Sequence, residues 1–186
     1  MECIRFEKVR DGKYLKNYEI TYLNRQGKEK KYEIVSRREL SGVEDLGAKP
    51  SGVSIVATCQ DKLLLHEFRM GVNRSIYNLC AGMLEPDETL EDCIARELME
   101  ETGMQLIRIE KILPPSFAAV AISDTTTYIA FAEVEGEPCS SGSSANEEIQ
   151  ADLYSREQVK ALLETAEFSS RAQMAAYFFT ESKDFY

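Results

Sequence analysis

The segment between residues 89 and 103 carries start and stop signals for a helix at both of its ends. Thr89-Leu90-Glu91-Asp92 has the pattern of a capping box, in which a threonine hydroxyl and an acid three residues later satisfy backbone amides. Gly103 stands where a helix commonly ends on a left-handed residue. The pattern therefore predicts a helix over residues 90–102, and the rest of the fold must accommodate it.

The predicted helix carries acids on the side that should face the protein interior. At about 100° per residue, Glu97 and Glu101 fall on the apolar side, with Glu100 at its edge and Arg96 just beyond it. A solvated acidic helix is the common alternative for neighbouring glutamates, but it does not explain this placement. Inward carboxylates need protonation, cationic partners or a bound metal. A site made only of carboxylate oxygens favours Mg²⁺ or Mn²⁺.

Bulk composition narrows the class of protein. The 186 residues suit one domain with an appendage, and the formal net charge of −10 argues against nucleic acid or anionic lipid as a partner. Five widely spaced cysteines and a single histidine, His66, argue against a disulfide framework or a zinc site. The amino terminus lacks the apolar core of a signal peptide, and no apolar run approaches the length of a membrane span. We therefore expect a cytoplasmic protein with no membrane partner.

Strand and helix patterns predict an α+β fold with two parts. Residues 1–48 form an amino-terminal β appendage with a hairpin around residues 24–27, and residues 49–186 form the main domain. Within the main domain we predict a second hairpin (51–58 and 62–68), a later strand (126–134) and two further helices (155–164 and 169–180). Strands interleaved with these helices imply a mixed sheet between helical layers.

The helix and the turn before it carry a resemblance to a known family. The specified positions of the Nudix box are matched in type and spacing by Gly82, Glu88, Arg96-Glu97-Leu98, Glu100-Glu101 and Gly103-Met104. The resemblance implies a Nudix-type α/β/α sandwich and hydrolysis of nucleoside diphosphates linked to another group. Carried over by position, it makes Glu97, Glu100 and Glu101 metal ligands, with Glu88 as an auxiliary acid. Arg96 would orient a glutamate.

The segments Leu65-His66-Glu67-Phe68-Arg69 and Asn78-Leu79-Cys80-Ala81-Gly82-Met83 are similar to the ADP-ribose and ADP-sugar pyrophosphatase branch of that family. The branch implies a metal contact from the Ala81 carbonyl and substrate binding by Arg69, Gly82 and Met83. It also implies a homodimer in which the appendage exchanges between subunits. The acidic loop ending in Glu147-Glu148 resembles the loop that supplies a general base, with Glu147 as first choice and Glu148 as second. A helix amino-terminus that favours acids is the alternative for this loop.

Several alternatives stay open. A proline that marks the branch's substrate, about 16 residues past the box, is absent near Ala119. GDP-sugars, NADH and oxidised nucleoside triphosphates are therefore alternative substrates, and a catalytically silent nucleotide-sugar sensor is an alternative function. His66 lies in an apolar strand, where a packed histidine is the more common outcome than a catalytic one.

Overall fold

A computed structural model describes residues 2–68, 71–139 and 149–182 of the chain. The chain forms two compact units: residues 1–51 with 115–127, and residues 52–114 with 128–186. The predicted division of the chain after residue 48 stays a prediction.

The first unit contains an antiparallel sheet of three strands. They are β1 (Glu2–Asp11), β2 (Lys16–Leu23) and β3 (Glu29–Ser36), in the order β1-β2-β3. The predicted hairpin is confirmed: β2 and β3 pair from Lys16↔Ser36 to Leu23↔Glu29. Its turn is closed by the side-chain oxygen of Asn24, which accepts the amides of Gln26 and Lys28 at 2.8 and 3.0 Å.

A small core holds the first unit together. Tyr18, Ile20, Ile34 and Leu40 are buried, and the ring of Phe6 stacks on that of Tyr18 with centroids 5.0 Å apart. The Tyr18 hydroxyl accepts the amide of Leu40 at 2.9 Å, so the one polar atom of this buried ring is used to fix the chain after β3.

The second sheet has seven strands, and three helices accompany it. The path of the sheet is β10-β5-β4-β9-β8, with β6 paired to β5 and β7 paired to β4. In chain order the elements are β4 (Gly52–Cys59), β5 (Lys62–Phe68), β6 (Ile76–Asn78), β7 (Cys80–Met83), α1 (Leu90–Thr102), β8 (Gln105–Phe117), β9 (Thr126–Glu135), β10 (Ile149–Tyr154), α2 (Arg156–Thr165) and α3 (Ser170–Glu181). The predicted second hairpin, later strand and three helices are confirmed, as is the α+β class. The strands β1, β6, β7, β8 and β10 were not predicted.

Helices pack on both faces of this sheet, because the apolar side chains of β4 and β5 point alternately to one face and the other. Val53, Ile55, Ala57 and Leu64 pack in one core cluster with Cys93, Ile94 and Leu98 of α1. Val56, Leu63 and Leu65 pack in another with Val159 of α2 and Ala172, Ala176 and Phe179 of α3. Successive side chains of a strand point to opposite faces, so one apolar run serves two layers. Of the described helices, α1 is the one that contributes to the first of these clusters.

Within the described ranges, no helix combines the length and the apolar character needed to cross a membrane.

Candidate active site

Helix α1 begins and ends as its sequence predicts. The Thr89 hydroxyl accepts the amide of Asp92 at 3.1 Å, and Gly103 takes the left-handed conformation at φ 70° and donates to Met99 O at 3.0 Å. The acid of the predicted capping box was expected to accept a backbone amide. Instead, the Asp92 carboxylate accepts a hydrogen bond from the Thr89 hydroxyl at 2.6 Å. Both ends of the helix are nevertheless fixed, and with them the direction of its acids.

The guanidinium of Arg96 binds acids from the loop before α1 and from α1 itself. Arg96 donates to both carboxylate oxygens of Glu88, through Nε at 2.8 Å and Nη2 at 3.0 Å. Such a two-point contact is stronger and more directional than a single ion pair. It lowers the pKa of Glu88 to about 2, because the Arg96 hydrogen bonds favour the charged carboxylate.

The third nitrogen of Arg96 reaches two acids of its own helix. Nη1 lies 2.7 Å from Glu97 Oε1 and 3.2 Å from Glu100 Oε2. The Glu97 side chain is 12% exposed and that of Glu100 is 56% exposed, so the pair places one carboxylate inside and one at the surface. Burial raises the pKa of Glu97, while Arg96 opposes that rise. The buried acid is therefore held partly desolvated beside a single cation.

The second half of strand β7 packs directly against this cluster. Gly82 lies opposite Val53 of β4, and a methyl group on its α-carbon would fall 1.8 Å from Glu97 Cδ. The Met83 carbonyl accepts from Arg96 Nη2 at 3.2 Å, while the Met83 side chain is exposed. With a side chain at residue 82, Glu97 would have to leave its present position.

Glu101, one helical turn after Glu97, contacts the same strand β7. Its Oε2 accepts the Ala81 amide at 3.2 Å and lies 3.6 Å from His66 Nδ1. Glu101 is therefore held between strands β7 and β5. The sequence alone assigned no role to His66. The signal that could have placed it near α1 is Leu64, two residues earlier on β5, which packs on the α1 side of the sheet.

The thiols near this cluster stay protonated. Burial raises the pKa of Cys93 to about 12 and that of Cys80 well above its ordinary value, and the nearby glutamates add to both shifts. Neither sulfur is a thiolate at neutral pH, so the donors of the site are carboxylate and carbonyl oxygens.

The structure brings together most of the predicted site residues. They are Ala81, Gly82, Met83, Arg96, Glu97, Glu100 and Glu101, joined by Glu88. The remaining three, Arg69, Glu147 and Glu148, lie outside the described residues.

Comparison with known proteins gives the following likenesses. A sequence profile for the NUDIX domain matches residues 48–177. The chain is 26% identical over 137 residues to an ADP-sugar pyrophosphatase of Mus musculus, an alignment that covers 70% of this chain and 60% of the mouse protein. It is 42% identical over 55 residues to an NAD-capped RNA hydrolase, NudC, of Vibrio parahaemolyticus, which covers 30% of this chain and 21% of that protein. The chain thus spans less than two thirds of the length of either relative.

The fold is also similar to a solved structure. A crystal structure described as that of an ADP compounds hydrolase aligns with a TM-score of 0.72 at 19% identity, covering 96% of this chain and 91% of that one. At this identity the likeness concerns the fold alone, and it confirms the predicted Nudix-type α/β/α sandwich.

Proposed function

The chain belongs to the NUDIX domain family, whose profile matches residues 48–177, and from this premise we propose that it hydrolyses the diphosphate of a nucleoside diphosphate linked to a further group. The preferred substrate is ADP-ribose or an ADP-sugar, and the products are AMP and a sugar phosphate. The reaction requires Mg²⁺, for which Mn²⁺ can substitute.

One observation carries the proposal: Glu97 and Glu101 lie against β7 at Gly82 and Ala81, and Arg96 joins Glu97 to Glu88 and Glu100. Several carboxylates brought together in a partly buried place destabilise the protein unless cations neutralise them. Such a cluster is therefore more readily explained by a binding site than by folding stability. Here the acids are aimed by a two-point arginine contact, by the Ala81 amide and by the absence of a side chain at Gly82. This degree of orientation supports a catalytic site over a solvated acidic surface.

The donor set fits Mg²⁺ by its chemistry. All candidate donors are oxygens, and burial raises the pKa of Glu97, a cost to the charged carboxylate that a bound cation would offset. Among the residues that the structure describes, no three acid, thiol or imidazole groups enclose a metal position by themselves. Mg²⁺ commonly keeps several waters and takes only one or two carboxylates, with substrate phosphates completing its shell. The candidates for its protein ligands are Glu97, Glu100, Glu101 and the Ala81 carbonyl.

When bound, Mg²⁺ supplies Lewis-acid stabilisation of the diphosphate and a lowered pKa for an attacking water. The chain's own residues perform the remaining tasks. Arg96 keeps Glu97 and Glu100 aimed, and the backbone of Gly82 and Met83 borders the substrate. Arg69 binds a phosphate, and Glu147, or else Glu148, accepts the proton of the attacking water as general base.

The choice of substrate draws support from the likeness to the mouse ADP-sugar pyrophosphatase, which extends over 137 residues. A dinucleotide such as NADH is the second candidate, because the shorter and more identical match is to an NAD-capped RNA hydrolase. GDP-sugars, oxidised nucleoside triphosphates and a silent nucleotide-sugar sensor are the other outcomes that the experiment below must separate.

The proposal includes a homodimer formed through the first unit. Strand β1 is at the edge of its sheet, and its Ile4 and Val9 side chains are exposed. A ten-residue edge strand with exposed apolar side chains is open to pairing with another chain. Light scattering should therefore give a mass near twice the monomer's 21.1 kDa.

The experiment is a product analysis with ADP-ribose, GDP-mannose, NADH and 8-oxo-dGTP, each with Mg²⁺ and with a chelator. We expect AMP to be released fastest from ADP-ribose, and release to stop when the chelator removes Mg²⁺. Faster hydrolysis of another compound would change the assigned substrate and leave the proposed type of reaction unchanged. No turnover of any compound would reject the hydrolase, and tight binding of ADP-ribose without turnover would identify the sensor.

A further inference from the structure

We propose that His66 is a positioning residue for Glu101, whose carboxylate it aims through an Nδ1–H group. The inference rests on the proposed function, because Glu101 is one of the acids assigned to Mg²⁺ there. It goes further by giving a role in the site to a residue of β5, a strand that lies outside the helix and turn of the box.

The position of His66 is set by three strands. It lies on β5 with Asn78 of β6 opposite it on one side and Ala151 of β10 on the other. Only 3% of the residue is exposed. The backbone of a strand paired on both sides has little freedom to shift, so the imidazole is a fixed group against which a flexible side chain can be held.

The contact is with a single oxygen of Glu101. His66 Nδ1 lies 3.6 Å from Oε2, and the same oxygen accepts the Ala81 amide at 3.2 Å. At 3.6 Å the imidazole contact is electrostatic, slightly longer than a hydrogen bond. Two polar groups from two strands thus restrain one oxygen of a side chain with three torsions, which would otherwise lose rotamer freedom on binding a cation.

The contact determines which ring nitrogen carries the hydrogen, because a neutral imidazole has a single N–H. A nitrogen lone pair directed at a carboxylate oxygen would repel it, whereas an N–H directed there attracts it. The proton therefore belongs on Nδ1, and Nε2 is the nitrogen without hydrogen.

A histidine that serves only to fill space has no such requirement. Any side chain of similar volume would then replace it equally well, whether or not that side chain carries a donor. Burying an imidazole in an apolar strand also costs free energy that a leucine would not. The carboxylate facing Nδ1 offsets that cost. Its presence favours a positioning role for His66 over a space-filling one.

The first test reads the tautomer in the intact protein. Because the chain has one histidine, long-range ¹H–¹⁵N correlation spectra of uniformly labelled protein show the signals of His66 alone. We expect the pattern of an Nδ1–H tautomer at pH 7. Glu101→Gln should move the ¹⁵N shift of Nδ1, whereas Glu100→Gln should leave it nearly unchanged. An Nε2–H tautomer, or equal responses to the two variants, would overturn the proposal.

The second test measures binding of Mn²⁺ alone, by electron paramagnetic resonance or calorimetry, to folded variants. His66→Leu keeps the approximate volume and removes the donor, and we expect it to weaken Mn²⁺ binding about 10-fold or more, as losses behind a metal ligand commonly do. His66→Asn can place an amide N–H near the position of Nδ1 and should recover most of that loss. Equal affinities for Leu and Asn variants would overturn the positioning role. If the wild-type protein bound no Mn²⁺, the proposed function would fail, and the tautomer experiment would still decide the contact.

Discussion

The α-carbon of Gly82 and the carboxylate carbon of Glu97 are so close that a methyl group on the glycine would lie 1.8 Å from Glu97 Cδ. Residue 82 is therefore part of the wall that holds the buried acid. The contact joins β7 to α1 at the point where the acids converge.

Gly82→Ala should lower stability by about 1–3 kcal/mol, the usual cost of overpacking, and should displace Glu97 from its place beside Arg96. Urea unfolding gives the first quantity and Mg²⁺-dependent ADP-ribose hydrolysis reports the second. The double variant Gly82→Ala/Glu97→Ala removes the atoms that clash, so it should be more stable than the single Gly82→Ala variant. Equal stability of the two would mean that the strain is elsewhere.

Glu101→Gln should reduce turnover by about 100-fold or more, because it removes a charge that the site uses while keeping the side-chain volume. The rate of AMP release at saturating Mg²⁺ is the measurement. Glu91→Gln is the matched control, since Glu91 is an exposed acid in the first turn of the same helix. Near-normal turnover in Glu101→Gln would remove Glu101 from the proposed ligands.

Arg96→Lys keeps the positive charge but loses the planar two-point contact with Glu88. We expect kcat to fall about 10-fold or more, since a single ammonium cannot hold Glu88, Glu97 and Glu100 together. The control is Arg108→Lys, because Arg108 is exposed and pairs with Glu110 and Glu133, outside the cluster. If both lysine variants keep full activity, charge alone is sufficient at residue 96.

Thr89→Ala removes the hydroxyl that accepts the Asp92 amide at the start of α1. The expected loss is about 1 kcal/mol of unfolding free energy, or roughly 2–4 °C in Tm for a chain of this size. Calorimetry compares it with Thr165→Ala, an exposed threonine in the last turn of α2 whose hydroxyl bonds back to Ala161 O. A similar change in both variants would show that capping does not stabilise α1.

The elements that the sequence predicted are those whose signals are local. Helix α1 has Thr89 before it and Gly103 after it, and the hairpin of β2 and β3 has a turn sequence between two alternating runs. The acids of the site could be predicted for the same reason, because helical periodicity alone places Glu97 and Glu101 on one side.

What the sequence did not predict depends on contacts between distant residues. Residues 115–127 belong to the first unit, where the Val35 amide donates to Ile122 O at 2.8 Å, a pairing across 87 positions that no local pattern encodes. His66 was expected to pack, and alternation along β5 shows only that it shares a face with Leu64. Its distance to Glu101 depends on how α1 crosses the sheet.

Three acids, Glu88, Glu97 and Glu100, share the Arg96 guanidinium, and the whole chain carries a formal charge of −10. A bare diphosphate approaching this field is repelled at long range, whereas its magnesium complex is nearly neutral and a free cation is attracted. Under the proposed function, the ion therefore arrives first, or it arrives already bound to the nucleotide.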